Sequence, residues 1–331
     1  MAISQPTYRA PVWLPGGNLQ TLYPALLARR PAVDYYRERW DTPDGDFIDL
    51  DWTEHQDRGL RIEGRSQERP LLVLFHGLEG SSNSHYARAL MGATTARGWR
   101  GVVVHFRGCS GELNRLPRAY HSGDSAEIDW ILRRLQQQQG DAPLHAAGVS
   151  LGGNALLKWL GEQGTAATAI LNSAAAVSAP VDLHAAGTAL EQGFNMLYTK
   201  NFLASLIKKS LAQLQAHPRL FDGARVRAAR TLREFDDLVT APLHGFSGVD
   251  DYYTRASSKP LLAHIRVPTL LLNARNDPFL PAVVLPVPGD MSAAITAEFP
   301  ETGGHVGFIS GAFPGSLDWL AQHLLGFLAP T

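Results

Sequence analysis

Leu144–Leu160 reads LHAAGVSLGGNALLKWL, and this stretch decides the fold. An apolar run, His145 to Val149, is followed at once by Gly148-x-Ser150-x-Gly152 and then by a helix-compatible segment. In that segment Leu151, Ala155, Leu156, Trp159 and Leu160 mark a buried face. A G-x-S-x-G pentad between a strand and a helix is the signature of a very tight turn that lifts the serine hydroxyl off the end of a strand. Glycines two residues either side let the neighbouring backbone approach without a Cβ clash. Ser150 is therefore the candidate nucleophile.

Outward from the pentad the chain alternates. Leu71–Phe75 is a continuous apolar run, as expected for a strand buried on both faces. Gly101–Phe106 is a second run and Leu144–Val149 a third. Ile170-Leu171 marks a fourth, Thr269–Leu272 a fifth and Ala294–Phe299 a sixth. The alanine-rich stretch Ala166–Val181 reads as a buried strand with its exit loop. Helical spacing appears at Ala87, Leu90, Met91 and Thr94, behind a cap at Ser84. It recurs at Ile128, Ile131, Leu132 and Leu135, behind Asp124-x-x-Glu127, which reads as a capping box. Leu317, Leu320, Leu324 and Leu328 form a last helix. Strands alternating with helices predict an α/β fold, a mostly parallel sheet with helices on both faces. Tyr35–Trp40 and Phe47–Trp52 around a Pro-Asp-Gly turn add a hairpin at the start.

One segment breaks the rhythm. Residues 180–255 show no strand, and read as an inserted helical cap on a core of 1–179 and 256–331. Phe202, Leu203, Leu206, Ile207, Leu211 and Leu214 predict one amphipathic helix there; Val226, Ala229, Leu232 and Phe235 predict another.

A serine hydroxyl needs a base, and the base needs an orienting acid. Of 12 histidines, His305 lies in a glycine-flanked loop after the last strand run and before the last helix. Others, such as His55, His184, His217, His244, His264 and His323, have no such setting. Asp277 follows the Thr269–Leu272 strand, giving the chain order Ser150, Asp277, His305; Asp182 is the runner-up acid. His76-Gly77-Leu78 follows the Leu71–Phe75 strand and can aim a backbone N–H at an acyl oxygen. The amides of Leu78 and Leu151 are the candidate oxyanion donors, with His76 shaping the turn.

The remaining composition excludes more than it assigns. The 331 residues are 45% hydrophobic with a net charge of -1, so no global field favours nucleic acid. Cys109 is the one cysteine, which rules out an internal disulfide, suits a reducing cytoplasm, and reads as a small buried residue. The N-terminal decapeptide lacks the pattern of a signal peptide, and no run reaches the ~20 apolar residues of a membrane span. No cofactor or metal is expected: His184 near Asp182 is too sparse for a metal site. Arg225, Arg227, Arg230 and Arg233 with Lys208 and Lys209 make the cap basic. They read as a solvated helix face, or as an attraction to anionic lipid or an acyl carrier, so peripheral membrane contact stays open. Oligomeric state is not encoded in any pattern found.

The stretches FHGLEGSSNSHYARAL, HFRGCSGELNRLPRAYHSGDS, GVSLGGNALLKWLGE, FSGVDDYYTRASS, LLNARNDPF and GGHVGF together resemble the YheT-like branch of the α/β-hydrolase superfamily. They run from Phe75 to Phe308. The resemblance implies the α/β-hydrolase fold, a Ser150–Asp277–His305 triad and a small-molecule or lipid ester substrate, acylglycerols among them. It implies a serine hydrolase working through an acyl-enzyme on Ser150. The alternatives are transfer of the acyl group to an alcohol, or a non-catalytic interaction protein on the same fold. Within RGCSG and after it, Arg107, Tyr120 and His121 either line the pocket or tie loops together. Asp250, Asp251, Tyr252 and Tyr253 read as a brace for the return from the cap.

Overall fold

The computed structural model describes residues 8–54 and 69–329; the first seven residues and His55 lie outside them. Eight strands form one sheet in the order β1-β2-β4-β3-β5-β6-β7-β8. They are β1 (Tyr36–Asp41), β2 (Phe47–Trp52), β3 (Leu71–Phe75), β4 (Arg100–His105), β5 (Leu144–Val149), β6 (Ser173–Val177), β7 (Thr269–Leu272) and β8 (Ile295–Glu298). β1 and β2 are antiparallel, β2 meets β4 antiparallel, and all later pairings are parallel. The β1–β2 hairpin closes through Thr42 and Gly45, whose φ of 86° suits glycine.

Two apolar cores lie on the two faces of the sheet. Leu71, Val73 and Phe75 enter one, Leu72 and Leu74 the other, which is why β3 reads as an unbroken apolar run. Helices α1 (Gly17–Leu26), α2 (His85–Ala96), α3 (Ser125–Gln139), α4 (Leu151–Gln163) and, at the end of the chain, α11 (Asp318–Leu328) surround it. Ala87, Leu90, Met91 and Thr94 of α2, and Ile128, Ile131, Leu132 and Leu135 of α3, are all buried as their spacing predicts. Between β6 and β7 come α5 (Leu183–Leu190), α6 (Met196–Ala216), α7 (Gly223–Ala228), α8 (Leu232–Phe235), α9 (Ala241–Leu243) and α10 (Val249–Ala256).

Four local expectations are corrected. The fourth strand is Ser173–Val177, and Ile170-Leu171 only closes a 3₁₀ turn over Gly164–Ala169. β6 lies inside the sheet between β5 and β7 and within the alanine-rich stretch read as a buried strand; its Ser-Ala-Ala-Ala start carries little β-propensity signal to place it. Ser84 precedes α2, but its hydroxyl accepts from the Ser81 amide and not from the helix. Asp124 and Glu127 do not form a capping box, because arginines take both carboxylates: Arg118 holds Asp124 at 2.6 and 2.8 Å, and Arg107 holds Glu127 at 2.7 Å. The helix expected through Val226, Ala229, Leu232 and Phe235 is broken. Thr231 and Glu234 make a true capping box that starts a new helix, α8.

Candidate active site

Ser150 sits between β5 and α4 at φ 53° and ψ −122°, a left-handed conformation that costs energy for any side chain. The turn closes so tightly that a Cβ on Gly152 would lie 2.4 Å from the Phe75 carbonyl oxygen. The Ser150 amide donates to Val177 O on β6 at 2.8 Å, tying the elbow to the neighbouring strand.

His305 Nε2 lies 3.0 Å from Ser150 Oγ, and His305 Nδ1 lies 2.9 and 3.2 Å from the two Asp277 oxygens. The structure thus brings together three side chains separated by up to 155 residues. Asp277 is buried and also accepts from the Phe279 amide at 2.8 Å, which fixes its carboxylate plane toward the imidazole. The Phe279 ring covers His305 at 4.1 Å between centroids. Asp182 is elsewhere: it caps α5 by accepting from the Ala185 amide.

The turn after β3 is built to leave one amide free. Gly77 N–H donates to the Tyr86 hydroxyl and Glu79 N–H to the Tyr120 hydroxyl, each at 2.9 Å. Leu78, between them, has no hydrogen-bond partner for its amide among the described residues, and Leu78 lines the same cavity as Ser150. Leu151 opens α4, so its N–H is one of the unsatisfied donors of a helix start. His76 is fully buried, donates from Nδ1 to Gly77 O at 2.8 Å and accepts the Phe106 amide on Nε2 at 3.1 Å. Burial pushes its pKa down to about 3, so it is neutral and serves the shape of the turn.

Reading the sequence missed α1, which holds both the acid and the base loops. Gln20 Oε1 accepts from the Gly303 amide and from Asn276 Nδ2, each at 2.9 Å; Thr21 Oγ1 accepts from the His305 amide at 2.8 Å. The loop presses so closely on this helix that a Cβ on Gly307 would meet Gln20 O at 1.9 Å. His85 adds a bond to Val306 O, and burial lowers its pKa to about 4. Only the Gly-Gly pair around 303–304 hinted that something packs here. Asn154 of α4 was also missed: fully buried, it donates to Ser122 O and Ala256 O and accepts from the Ser258 amide, locking α4 to the return from α10.

Arg107, Tyr120 and His121 all line the cavity that holds Ser150, and each also ties loops together. Arg107 is buried and binds Asp46 and Asp44 of the β1–β2 turn and Glu127 of α3, so it ties loops together. Tyr120 braces the turn after β3 and donates to Glu79 Oε1. His121 packs on His244 and Tyr252, and the Tyr252 hydroxyl accepts from the Ser122 amide. Cys109 is half-buried, not sealed in the core. Its thiol lies 3.6 Å from Lys209 Nζ, and burial pushes its pKa up to about 11, so it is protonated and no nucleophile. Lys209 is likewise not on a solvated face: it turns inward and pairs with Glu79 at 2.8 Å, while Lys208 stays exposed.

A cavity of about 570 Å³ lies over Ser150 and His305. Its roof is apolar, with Leu190, Phe202, Leu206, Leu232, Phe235 and Val239. One acid enters this roof. Asp236 stands on a π turn, Asp236–Thr240, and accepts from Thr240 Oγ1 at 2.6 Å and the Tyr253 hydroxyl at 3.0 Å. Burial pushes its pKa up to about 6. Among the described residues no group of three His, Cys, Asp or Glu side chains is arranged to hold a metal ion.

A family profile described as the alpha/beta hydrolase fold matches residues 70–312, and the chain belongs to that family. Within it the chain falls with the YheT-like proteins. It is similar to the esterase-named YheT of Escherichia coli (strain K12), 42% identical over 94% of this chain and 89% of that protein. It is similar to phospholipase ABHD3 of Homo sapiens, 31% identical over 93% of this chain and 75% of that protein. Among solved structures, the esterase EaEST from Exiguobacterium antarcticum shares the fold with a TM-score of 0.54, at 16% identity over 88% of this chain and 99% of that one.

Proposed function

We propose that the chain hydrolyses carboxylic esters of amphiphilic acyl compounds through an acyl-enzyme on Ser150. The observation that carries this reading is the unbroken path Asp277–His305–Ser150 opening into an apolar-roofed cavity. Substrate binds with its acyl chain along the roof and its carbonyl carbon against Ser150 Oγ. His305 Nε2 takes the hydroxyl proton as Oγ attacks, and Asp277 stabilises the imidazolium through Nδ1–H. The negative charge on the carbonyl oxygen is met by the Leu78 and Leu151 amides, each able to supply ~10²–10³ in rate. His305 then protonates the departing alcohol, completing acylation. Water, deprotonated by the same imidazole, attacks the acyl carbon; the tetrahedral adduct collapses, Oγ leaves and regains its proton, and the acid is released.

The test is hydrolysis of p-nitrophenyl esters of graded chain length by the wild type and by Ser150→Ala. The expected loss is at least about 10³-fold at every chain length. Equal rates in the two proteins would refute the reading.

A further inference from the structure

Helix α1 is amphipathic the wrong way round. Its polar side chains face inward: Gln20 is 2% exposed and Thr21 7%, both spent on the acid and base loops. Its leucines face outward: Leu19 is 51% exposed, Leu26 71% and Leu27, just past the last turn, 73%. At 100° per residue Leu19, Leu22 and Leu26 share one side of the helix, opposite Gln20, Thr21 and Pro24. Exposed leucines on one stripe are not explained by folding, because the helix is already fixed by its polar face.

Two further observations say what covers this stripe. The first is continuity with the cavity. Leu22, Ala25 and Leu26 line the cavity over Ser150, so the apolar stripe is also the lip of the substrate entrance. Beside it, Tyr198 of α6 donates to Asn18 Oδ1 at 3.0 Å, which sets the exposed Phe194 and Leu197 next to α1. The second is charge. Residues 8–33 and 192–200 contain no Asp or Glu, yet carry Arg9, Arg29, Arg30 and Lys200. Arg29 and Lys200 are exposed and have no carboxylate partner among the described residues. A two-fold contact with a second copy would set such a face against itself, cation facing cation. An anionic lipid surface complements both features.

We infer that the leucine face of α1, with the start of α6, docks the protein on an anionic bilayer, with the cavity lip at the lipid surface. The residue stripe lies in the interface plane; among the described residues no helix is long and apolar enough to cross the membrane. Docking itself is independent of catalysis, whereas its benefit to turnover rests on the ester-hydrolase reading.

The experiment is co-sedimentation of the full chain with vesicles, in a Ser150→Ala background so that hydrolysis does not alter the lipid. Vesicles of phosphatidylcholine with a quarter phosphatidylglycerol bind it; phosphatidylcholine alone binds it more weakly, and added salt weakens the anionic binding. Leu19→Glu/Leu27→Glu, neither of which lines the cavity, lowers the partition coefficient at least about tenfold. Arg29→Glu lowers it less and reduces the salt dependence. In the Ser150 background the same variants keep their turnover of a dissolved short-chain p-nitrophenyl ester, which shows them folded. The inference is overturned if anionic vesicles do not bind the protein at low salt, or if the leucine variants bind as well as their parent. It is equally overturned if the parent is a dimer that those variants convert to monomer while no vesicle binding is seen, which would give the face to a second copy.

Discussion

The floor and the roof of the cavity are built by different physics. The floor is strand ends and tight turns. Ser150 and Gly152 are placed by backbone contacts, such as Ser150 N to Val177 O, and the Leu78 and His305 turns by hydroxyls that bind their backbone amides. The roof is one long helix, α6, with short ones packed on it, one broken at Ala229–Thr231 and one loosened into a π turn at Asp236–Thr240, joined by side-chain packing. The floor holds a geometry that chemistry demands, and the roof holds a shape that a substrate can select. A change in the floor should therefore abolish function, while a change in the roof should redirect it.

The largest effect lies on the floor. Asp277→Asn keeps the size of the acid but removes its charge beside His305. Steady-state ester hydrolysis should fall about 10²- to 10⁴-fold in kcat with KM little changed. Retained kcat would detach Asp277 from catalysis. Gly152→Ala comes next, because the added methyl would meet both the Phe75 and the His76 carbonyl oxygens, at 2.4 and 2.5 Å. Denaturant unfolding should show a loss of roughly 2–4 kcal/mol, and a loss below about 0.5 would mean the elbow is softer than its contacts imply.

Two roof changes sharpen the comparison. Phe202→Ala enlarges the acyl wall. It should shift preference among p-nitrophenyl esters toward longer chains, by about 10- to 200-fold in relative kcat/KM, with short-chain turnover kept within a few-fold. An unchanged chain-length profile would place the acyl chain elsewhere. Asp236 gives the smallest effect and a pH signature. Its folded pKa, about 6, lies above the ordinary carboxyl value, so the fold favours the protonated acid. That stability is fully present below about pH 4 and is lost as pH rises through about 6. The thermal stability of Asp236→Asn, measured relative to the wild type, should accordingly rise between pH 4 and 6.5 by on the order of 1 kcal/mol, discounted for the acid's contact with the cavity. A flat difference would mean that Asp236 is ionised in the fold.

The same division explains what could be read from sequence. The parallel strands and the elbow follow from apolar runs and a glycine-spaced serine, because buried strands and tight turns admit few residue types. Asp277 and His305 were legible by position, each standing in a loop just past a strand. α1 was not, since its buried side is Gln20 and Thr21 and its leucines face out; a rule that apolar residues mark the inside reads such a helix backwards. β6 was legible only as a buried strand somewhere in Ala166–Val181, its place misread at Ile170-Leu171, because alanine carries little strand preference to fix the bounds. Lys209 and Glu79 were hidden for another reason: whether a lysine on a helix is solvated or turned inward depends on a partner 130 residues away.

The central claim is that Ser150 carries the acyl group. It is tested most directly by quenching the enzyme with acid during steady-state turnover of a slow p-nitrophenyl ester and weighing the peptide that contains Ser150. The account predicts a mass increase equal to the acyl group on that peptide, on Ser150 itself, with a burst of p-nitrophenol matching the enzyme concentration. Continued turnover with that peptide unmodified, or with the acyl group on another residue, would contradict it.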